Sequence, residues 1–306
     1  MKLEGIHHIT AITGDAARNL DFYTRVIGLR LVKKTVNQDD PTVYHLFYAD
    51  EHGSPGADLT FFEYPGAAPG RAGAGMVHRV VSRVGSAEAL DFWAERLAGE
   101  GVETERVEDR LRFADPEGLA HELIVDPTED AALAADHPDI PAEHALQGFD
   151  SVRAYSADPE ASRALLEDAL EFQAAGDIWE ARGSERGGSI AYDAPPEERG
   201  RPGGGTVHHV AWASTMEDHA AWRERALEGG ASPTPEIDRF WFRSIYFREP
   251  SGVLFEIATM GPGFATDEDL EHLGEKLVLP PRFEAMRDHI EATLTPLESP
   301  RVAQGE

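Results

Sequence analysis

The sequence predicts an α+β fold made of four βαβββ modules, arranged as two domains with cup-shaped β-sheets. Three observations support this fold class. Four segments open with similar alternating, β-branched stretches: GIHHITAIT, MVHRVVSRV, FDSVRAYSA and TVHHVAWAS. Each stretch is followed by a polar residue and then by apolar residues at helical spacing. The closing strands of the second and fourth segments, LRFADPEGLAHELIV and IYFREPSGVLFEIAT, align without a gap. Repetition of one unit therefore organises most of the chain.

The first two modules are predicted over about residues 3–64 and 75–126. Each opening stretch alternates as a half-buried strand should. Asp15 precedes the helical period ARNLDFYTRVIGL, and Ser86 precedes AEALDFWAERLAGEGV. Ser and Asp are favoured N-cap residues, so both helices are expected to begin there. The segment YHLFYADEHGSPGADLTFF then supplies the later strands of the first module.

The last two modules are predicted over about residues 147–194 and 204–260. Asp158 and Thr215 stand at the N-cap positions of PEASRALLEDALEF and MEDHAAWRERALEGGA. GGSIAYDAP closes the third module, and the Pro-Ser-Gly turn in IYFREPSGVLFEIAT closes the fourth as a hairpin.

Domain boundaries follow from breaks in this repetition. We predict an N-terminal domain of two modules over residues 1–130, a linker rich in Ala, Asp and Pro over 131–146, and a C-terminal domain of two modules over 147–262. Residues 263–306 form a tail, in which PPRFEAMRDHIEATL predicts one amphipathic helix after a proline stop. The tail is interpreted as a packing appendage.

Composition restricts the function classes. The 306 residues carry a formal net charge of −28, which repels phosphate backbones and anionic membranes and so argues against nucleic-acid or membrane partners. The absence of cysteine excludes disulfides and thiolate metal sites, so His, Asp and Glu must hold any metal. No apolar run is long enough to span a bilayer, and the N-terminus lacks the apolar stretch of a signal peptide, so we expect a cytoplasmic protein.

The first strand of each module predicts one face toward the helices and one toward a cavity. Residues two apart in a strand share a face. The uniformly apolar face is expected to pack on the helices, and its matched positions are Ile9, Val80, Val152 and Val210. The opposite face is expected to line the cavity, and its matched positions are His8, Arg79, Ser151 and His209. His8 and His209 are therefore the better candidates for ligands, while His7 and His208 are expected on the helix side.

A carboxylate completes this candidate site. Glu256 lies within the otherwise apolar run VLFEIAT, where an unpaired buried carboxylate would be costly without a cation. Two neutral imidazoles and one carboxylate are typical of non-haem Fe(II) sites with open coordination positions. His8 can meet His209 only if the first module pairs with the fourth. The matched positions of the other modules offer Glu122 without a histidine, and Arg79 is expected to neutralise it.

At these residues the chain resembles the vicinal-oxygen-chelate superfamily, and more closely the dioxygenases that cleave hydroquinone rings. The resemblance covers about residues 3–290 and is most specific in LEGIHHITAITGDA, YHLFYADEHGSPG, VHHVAWA, DRFWFRSIYFREPSGVLFEIAT and GFATDED. It implies two vicinal-oxygen-chelate domains that bind Fe(II), with Mn(II) as the alternative, and that use O₂ to open a small para-diol aromatic ring. The matching ligands are His8, His209 and Glu256.

The resemblance also implies roles around the metal for five further residues: Thr10, His7, His208, Arg239 and Tyr246. Tyr246 could donate a proton or hydrogen bond to an oxygen intermediate. Arg239 could hold the substrate's phenolate or its far end, and His7 or His208 could relay protons.

Three other functions stay open on this scaffold. A glyoxalase-type isomerase typically needs a fourth ligand, and DLTFF in the first module offers none before Glu63. A catechol extradiol dioxygenase usually draws its ligands from the C-terminal domain alone. A non-enzymatic protein that binds aromatic compounds or drugs would not need the two histidines and the glutamate. The sequence does not decide the oligomeric state, and a homo-oligomer is possible.

Overall fold

The structure is a computed structural model that describes residues 1–300. Each module contributes four strands to it. The strands of the first module are β1 (Ile6–Thr13), β2 (Arg30–Val36), β3 (Tyr44–Ala49) and β4 (Asp58–Glu63). Those of the second are β5 (Val77–Val84), β6 (Thr104–Val107), β7 (Arg110–Ala114) and β8 (Ala120–Val125). Those of the third are β9 (Phe149–Tyr155), β10 (Gln173–Ala175), β11 (Ile178–Arg182) and β12 (Gly187–Asp193). Those of the fourth are β13 (Thr206–Ser214), β14 (Ile237–Asp238), β15 (Arg243–Arg248) and β16 (Leu254–Thr259).

The module helices differ in regularity. They are α1 (Ala16–Asp21) continued by a π-helical turn (Phe22–Val26), α2 (Ala87–Gly99), a 3₁₀ turn (Pro159–Ser162) followed by a π-helical turn (Ala164–Ala169), and α3 (His219–Glu228). Asp15 and Ser86 cap α1 and α2 as predicted, each accepting a backbone N–H bond. Thr215 accepts from the Asp218 amide just before α3. The predicted cap at Asp158 is wrong, since its side chain makes no capping bond and the first turn there is 3₁₀.

Two eight-stranded sheets confirm the fold class. One has the order β14-β15-β16-β13-β1-β4-β3-β2 and the other β10-β11-β12-β9-β5-β8-β7-β6. The first sheet joins modules one and four through antiparallel β1 and β13, as the meeting of His8 and His209 requires. The second joins modules two and three through β5 and β9. Each sheet thus takes one module from each of the predicted ranges 1–130 and 147–262.

The apolar faces of the central strands form the core. Ile9, Val80, Val152 and Val210 are all 0 % exposed and belong to one buried cluster. The same cluster includes Trp93 of α2 and Trp222 of α3, so this face packs on the helices as predicted. Burying large side chains such as these contributes roughly 1.5–3 kcal/mol each. The opposite faces of the central strands are left to line the cups.

The tail closes against the first sheet. Its ordered parts are 3₁₀ turns at Phe264–Thr266, Leu270–His272 and Pro281–Met286 and the helix α4 (Arg287–Thr293), so the predicted single helix is a 3₁₀ turn followed by a short α-helix. Fully buried Lys33 of β2 bonds Asp267 at 2.9 Å and also contacts Glu268. The tail is therefore anchored by ion pairs that reach into the sheet. None of the helices within residues 1–300 has the length and apolarity needed to cross a membrane.

Candidate metal centre

Three adjacent strands bring His8, His209 and Glu256 to one point. They lie on β1, β13 and β16, which are neighbours in the first sheet. The two Nε2 atoms lie 3.3 Å apart, and a Glu256 carboxylate oxygen lies 3.2 Å from that of His8 and 2.9 Å from that of His209. All three residues are buried. The predicted meeting of the two ends of the chain is therefore present in the structure.

The spacing of these atoms fits a divalent metal. In an octahedral site with bonds of about 2.1 Å at right angles, neighbouring ligand atoms lie about 3.0 Å apart. The three observed separations bracket that value. Glu256 is 0 % exposed, and within residues 1–300 its carboxylate oxygens are approached by the His8 and His209 rings but by no other hydrogen-bond donor. A buried carboxylate that faces two imidazole nitrogens needs a cation, so the residues present fit the metal that the sequence suggested.

The electrostatics of Glu256 and His209 agree with roles as metal ligands. Burial alone would raise the pKa of Glu256, but the adjacent His8 and His209 hold that pKa well below its usual value. Burial lowers the pKa of His209, with Glu256 opposing the change. The site thus keeps the carboxylate ionised and favours the uncharged imidazole of His209, the form that binds metals.

A hydrogen-bond chain orients the ring of His8. His7 Nε2 lies 3.1 Å from the backbone oxygen of Thr259, which can only accept, so His7 carries its proton on Nε2. His7 Nδ1 is then an acceptor, and His8 Nδ1, 2.9 Å away, must donate to it. Burial and the neighbouring His8 lower the pKa of His7 to about 3, so its ring is neutral. The Nε2 lone pair of His8 is consequently free and directed at the metal position.

His208, which is exposed, makes the corresponding ring contact with His209. The Nδ1 atoms of the two rings lie 2.8 Å apart. The prediction that His7 and His208 face the helices is wrong, because both sit at β-bulges. In the pairing of β1 with β13, the register shifts between Ile6 and His8, which leaves His7 as the extra residue of β1. It shifts again where Thr10 pairs with His209 and Ala11 with Val207, which leaves His208 as the extra residue of β13. A bulge adds one residue to a strand and breaks the alternation of faces, so each histidine pair can project to the same side.

Tyr246 and Arg239 lie at the rim of the centre. Tyr246 is paired with Glu256 across β15 and β16, and its ring centroid lies 5.7 Å from that of His209. Burial and the nearby carboxylate of Glu256 raise the pKa of Tyr246 above its usual value, so its hydroxyl keeps its proton at neutral pH. The Arg239 guanidinium lies 5.6 Å from the Tyr246 ring and donates two hydrogen bonds, of 3.0 and 2.8 Å, to Asp39. Both side chains can therefore contact a molecule bound at the metal.

Thr10 acts on this region through other side chains. It is fully buried, and its hydroxyl lies 2.8 Å from that of Thr60 on β4. The Thr60 hydroxyl in turn lies 2.9 Å from Nε2 of His45 on β3. Sequence reasoning missed Thr60 and His45, although both belong to the segment YHLFYADEHGSPGADLTFF. The signal available was a histidine at the start of an otherwise apolar strand.

A pocket opens over the metal centre. It is walled by aromatic rings and edged by polar groups from the β2–β3 connection and from β15. The residues lining it are His8, Asn37, Gln38, Asp39, His45, Phe47, Phe62, His209, Arg239, Trp241, Phe242 and Tyr246. Such a pocket suits a flat aromatic molecule with polar substituents.

In the second cup, arginine side chains surround the glutamate that corresponds to Glu256. Fully buried Glu122 accepts from Arg79 at 3.2 Å, as predicted, and also from Arg110 and Arg112 at 2.6 Å each. Three guanidinium groups therefore satisfy the carboxylate that corresponds to Glu256. The contribution of Arg110 and Arg112 was not foreseen, because both come from the neighbouring strand β7.

Comparison with known proteins agrees with this geometry. The model of the Glyoxalase/Bleomycin resistance protein/Dioxygenase superfamily matches residues 5–123 and 148–257. The Bacillus subtilis (strain 168) protein named "Putative ring-cleaving dioxygenase MhqA" is 39% identical over 97% of this chain and 100% of its own length. The chlorohydroquinone/hydroquinone 1,2-dioxygenase of Sphingobium indicum is 33% identical over 96% of both chains.

Solved structures give the same result. The crystal structure of a "putative dioxygenase" from Bacillus subtilis is 40% identical, with a TM-score of 0.90 over 97% of this chain and 98% of that one. Glyoxalase I from Zea mays shares the fold at a TM-score of 0.58 and 17% identity, covering 83% of this chain and 92% of that one. The chain therefore belongs to the glyoxalase/bleomycin-resistance/dioxygenase superfamily, and within it to the family of the ring-cleaving dioxygenases.

Proposed function

We propose that this enzyme is a non-haem Fe(II)-dependent dioxygenase that opens para-diol rings of the hydroquinone type with O₂. The observation that supports it most strongly is the cluster of His8, His209 and Glu256, whose three ligand atoms lie 2.9–3.3 Å apart. Three protein ligands on one face leave the remaining coordination positions for substrate and O₂. The relative from Sphingobium indicum named for hydroquinone supports the choice of substrate class.

The reaction needs a group that lets O₂ react with a closed-shell ring, and Fe(II) supplies that chemistry when bound. The C–C bond beside the hydroxyl-bearing carbon breaks, and both atoms of O₂ enter the product. His8, His209 and Glu256 would hold the metal, and Phe62 and Phe242 would flank the ring.

The residues around the metal supply orientation and protons. Tyr246 keeps its proton at neutral pH and can donate a hydrogen bond into the pocket. Arg239 presents a cation that favours the phenolate form of a bound substrate hydroxyl, while Asp39 holds its guanidinium in place. His7 and His208 orient the ligand rings through their Nδ1 contacts.

The alternatives predict different chemistry at the same site. A glyoxalase-type isomerase would need a fourth protein ligand, and within the described chain the metal-ligating cluster contains His8, His209 and Glu256 alone. A protein that merely sequesters aromatic compounds would not require the buried carboxylate between two imidazoles.

The test is oxygen uptake by protein loaded anaerobically with Fe(II) or Mn(II), supplied in turn with hydroquinone, methylhydroquinone and catechol. We expect one O₂ consumed per hydroquinone with Fe(II), and incorporation of two ¹⁸O atoms from ¹⁸O₂ into the product. The His209→Ala variant gives the background rate of oxygen uptake. Preferential cleavage of catechol would identify an extradiol enzyme, and tight binding of aromatics to metal-free protein without oxygen uptake would identify a binding protein. Either result contradicts the proposal.

A further inference from the structure

The two halves of the first sheet are related by an internal repeat, which identifies the position opposite Glu256. Glu256 on β16 pairs with Ala211, two residues after His209 on β13. In the first module, Thr60 on β4 pairs with Thr10, two residues after His8 on β1. Thr60 therefore occupies the position that corresponds to Glu256. A threonine hydroxyl stands here in place of a second carboxylate.

The Thr60 hydroxyl is used to hold a histidine. It lies 2.8 Å from the Thr10 hydroxyl and 2.9 Å from His45 Nε2, in a line that crosses three adjacent strands. Thr10 and Thr60 are both 0 % exposed, so the hydrogen bond between their hydroxyls has no competing solvent. The ring of His45 is further fixed between Phe47 and Phe62, at centroid distances of 4.0 and 4.4 Å. A side chain held on three sides in this way is preorganised for binding.

The remaining edge of the His45 ring faces the pocket. His45 lines the same pocket as His8 and His209. Within residues 1–300, the Nδ1 atom of His45 makes no hydrogen bond to the chain. This atom is also not one of the buried polar atoms that lack a partner, so a bound molecule can reach it. Burial, reinforced by His8 and His209, lowers the pKa of His45 well below its usual value. The neutral ring can donate or accept at Nδ1 according to its tautomer, and a hydroxyl can pair with either form.

The position of His45 suits the far end of a para-substituted ring. β3 lies two strands from β1, which places their backbones about 10 Å apart at the usual strand spacing of about 4.8 Å. A ring held at the metal through one hydroxyl would carry its opposite substituent farther from His8 than an ortho substituent, and His45 lines the same pocket. An ortho substituent, as in catechol, would stay beside the metal.

We propose that His45, positioned by Thr60 and Thr10, binds the second hydroxyl of the substrate and so selects para-diols over mono-ols and catechols. This inference rests on the proposed function for the identity of the substrate class. It assigns Thr10 a positioning role that acts through Thr60 and His45.

The experiment compares anaerobic binding of hydroquinone and phenol to the Fe(II)-loaded protein by calorimetry. In the wild type, hydroquinone should bind about tenfold tighter than phenol, the effect of one good hydrogen bond. In His45→Phe that advantage should fall to about twofold or less with unchanged iron content. His45→Gln, which keeps a hydrogen-bonding group, should retain part of it. Thr60→Val, which removes the support but keeps the shape, should give an intermediate ratio.

Exposed His289 on α4 provides the matched control, since His289→Phe makes the same chemical change far from the pocket lining and should leave the ratio unchanged. A hydroquinone-to-phenol ratio in His45→Phe equal to that of the wild type would overturn the inference, as would a wild type without preference. If His45→Phe does not fold, the hydroquinone-to-phenol affinity ratios of His45→Gln and Thr60→Val are used instead, and ratios equal to that of the wild type in both variants would overturn the inference. Absence of oxygen uptake by the wild type would instead contradict the proposed function, and the binding ratios would still decide the role of His45.

Discussion

At the scale of single residues, the candidate centre depends on which nitrogen of each histidine carries the proton. The backbone oxygen of Thr259 fixes the tautomer of His7, and His7 fixes that of His8. No charged group is needed for this, because a carbonyl can only accept. In the first pair, His8 therefore faces the metal position and His7 orients its ring. His208 makes the corresponding Nδ1 contact with His209.

The role of His7 can be tested with His7→Phe, which keeps an aromatic ring beside Phe242 but removes the acceptor for His8. Loss of such a partner typically weakens metal binding by about 10–100-fold. We expect that reduction for Mn(II) or Fe(II), measured by metal titration under anaerobic conditions, with little change in the circular dichroism spectrum. An unchanged metal affinity would show that His8 needs no orienting partner.

Tyr246→Phe should separate metal binding from turnover. The phenyl ring preserves packing near His209 and removes only the hydroxyl. Because proton donation by a positioned side chain typically contributes 10²–10⁴-fold, we expect iron content to stay at the wild-type level and kcat to fall by about 100-fold. The check is single-turnover kinetics alongside iron analysis. Wild-type kcat in this variant would exclude Tyr246 as a proton donor.

At the scale of the elements, strand alternation predicts a great deal but fails at the bulges. It places Ile9 and Val210 correctly in the core and His8 and His209 correctly in the cup. It misplaces His7, because one added residue in β1 reverses the face of that position. A bulge depends on the register between two strands about 200 residues apart, and neither strand encodes that register alone.

The second cup is stabilised by ion pairs at Glu122 where the first cup has its candidate metal ligands. Glu122→Gln should remove the negative charge that pairs with Arg79, Arg110 and Arg112. Since these arginines are partly exposed, we expect a loss of about 1–3 kcal/mol in the free energy of unfolding rather than misfolding. Chemical denaturation measures this loss, and iron content should remain unchanged. A fall in iron content would mean that the second cup also supports the metal.

At the scale of the whole molecule, segments outside the strands join the modules. Asp130, which is 8 % exposed, accepts from Arg83 of the second module at 2.8 Å and from Arg182 of the third at 2.6 Å. On the other cup, Asp267 and Glu268 of the tail meet buried Lys33. The tail and the segment that follows β8 are thus integral parts of the structure.

This arrangement predicts a specific loss of stability in acid. Burial alone would raise the pKa of Asp130, but Arg83 and Arg182 lower it to about 2. A carboxyl with a lowered pKa stabilises the folded state above its unfolded pKa of about 3.9, and this stability is lost as the pH falls toward 2. The shift corresponds to about 2 kcal/mol.

Asp130→Asn should therefore be less stable than the wild type by about 2 kcal/mol at pH 7, with most of the difference gone at pH 2. Urea denaturation at a series of pH values measures both proteins. A difference that stays constant from pH 7 to pH 2 would show that the charge of Asp130 does not contribute.

The sequence by itself determined the four modules, the strand faces away from the bulges and the residue types able to hold a metal. These follow from local periodicity and from the chemistry of His and Glu, which need no partner to be recognised. Only the tertiary structure decided the bulges beside His8 and His209, the line from Thr10 through Thr60 to His45, and the three arginines on Glu122. Each of these depends on register and hydrogen bonding between strands, and such pairings arise only when the strands fold together.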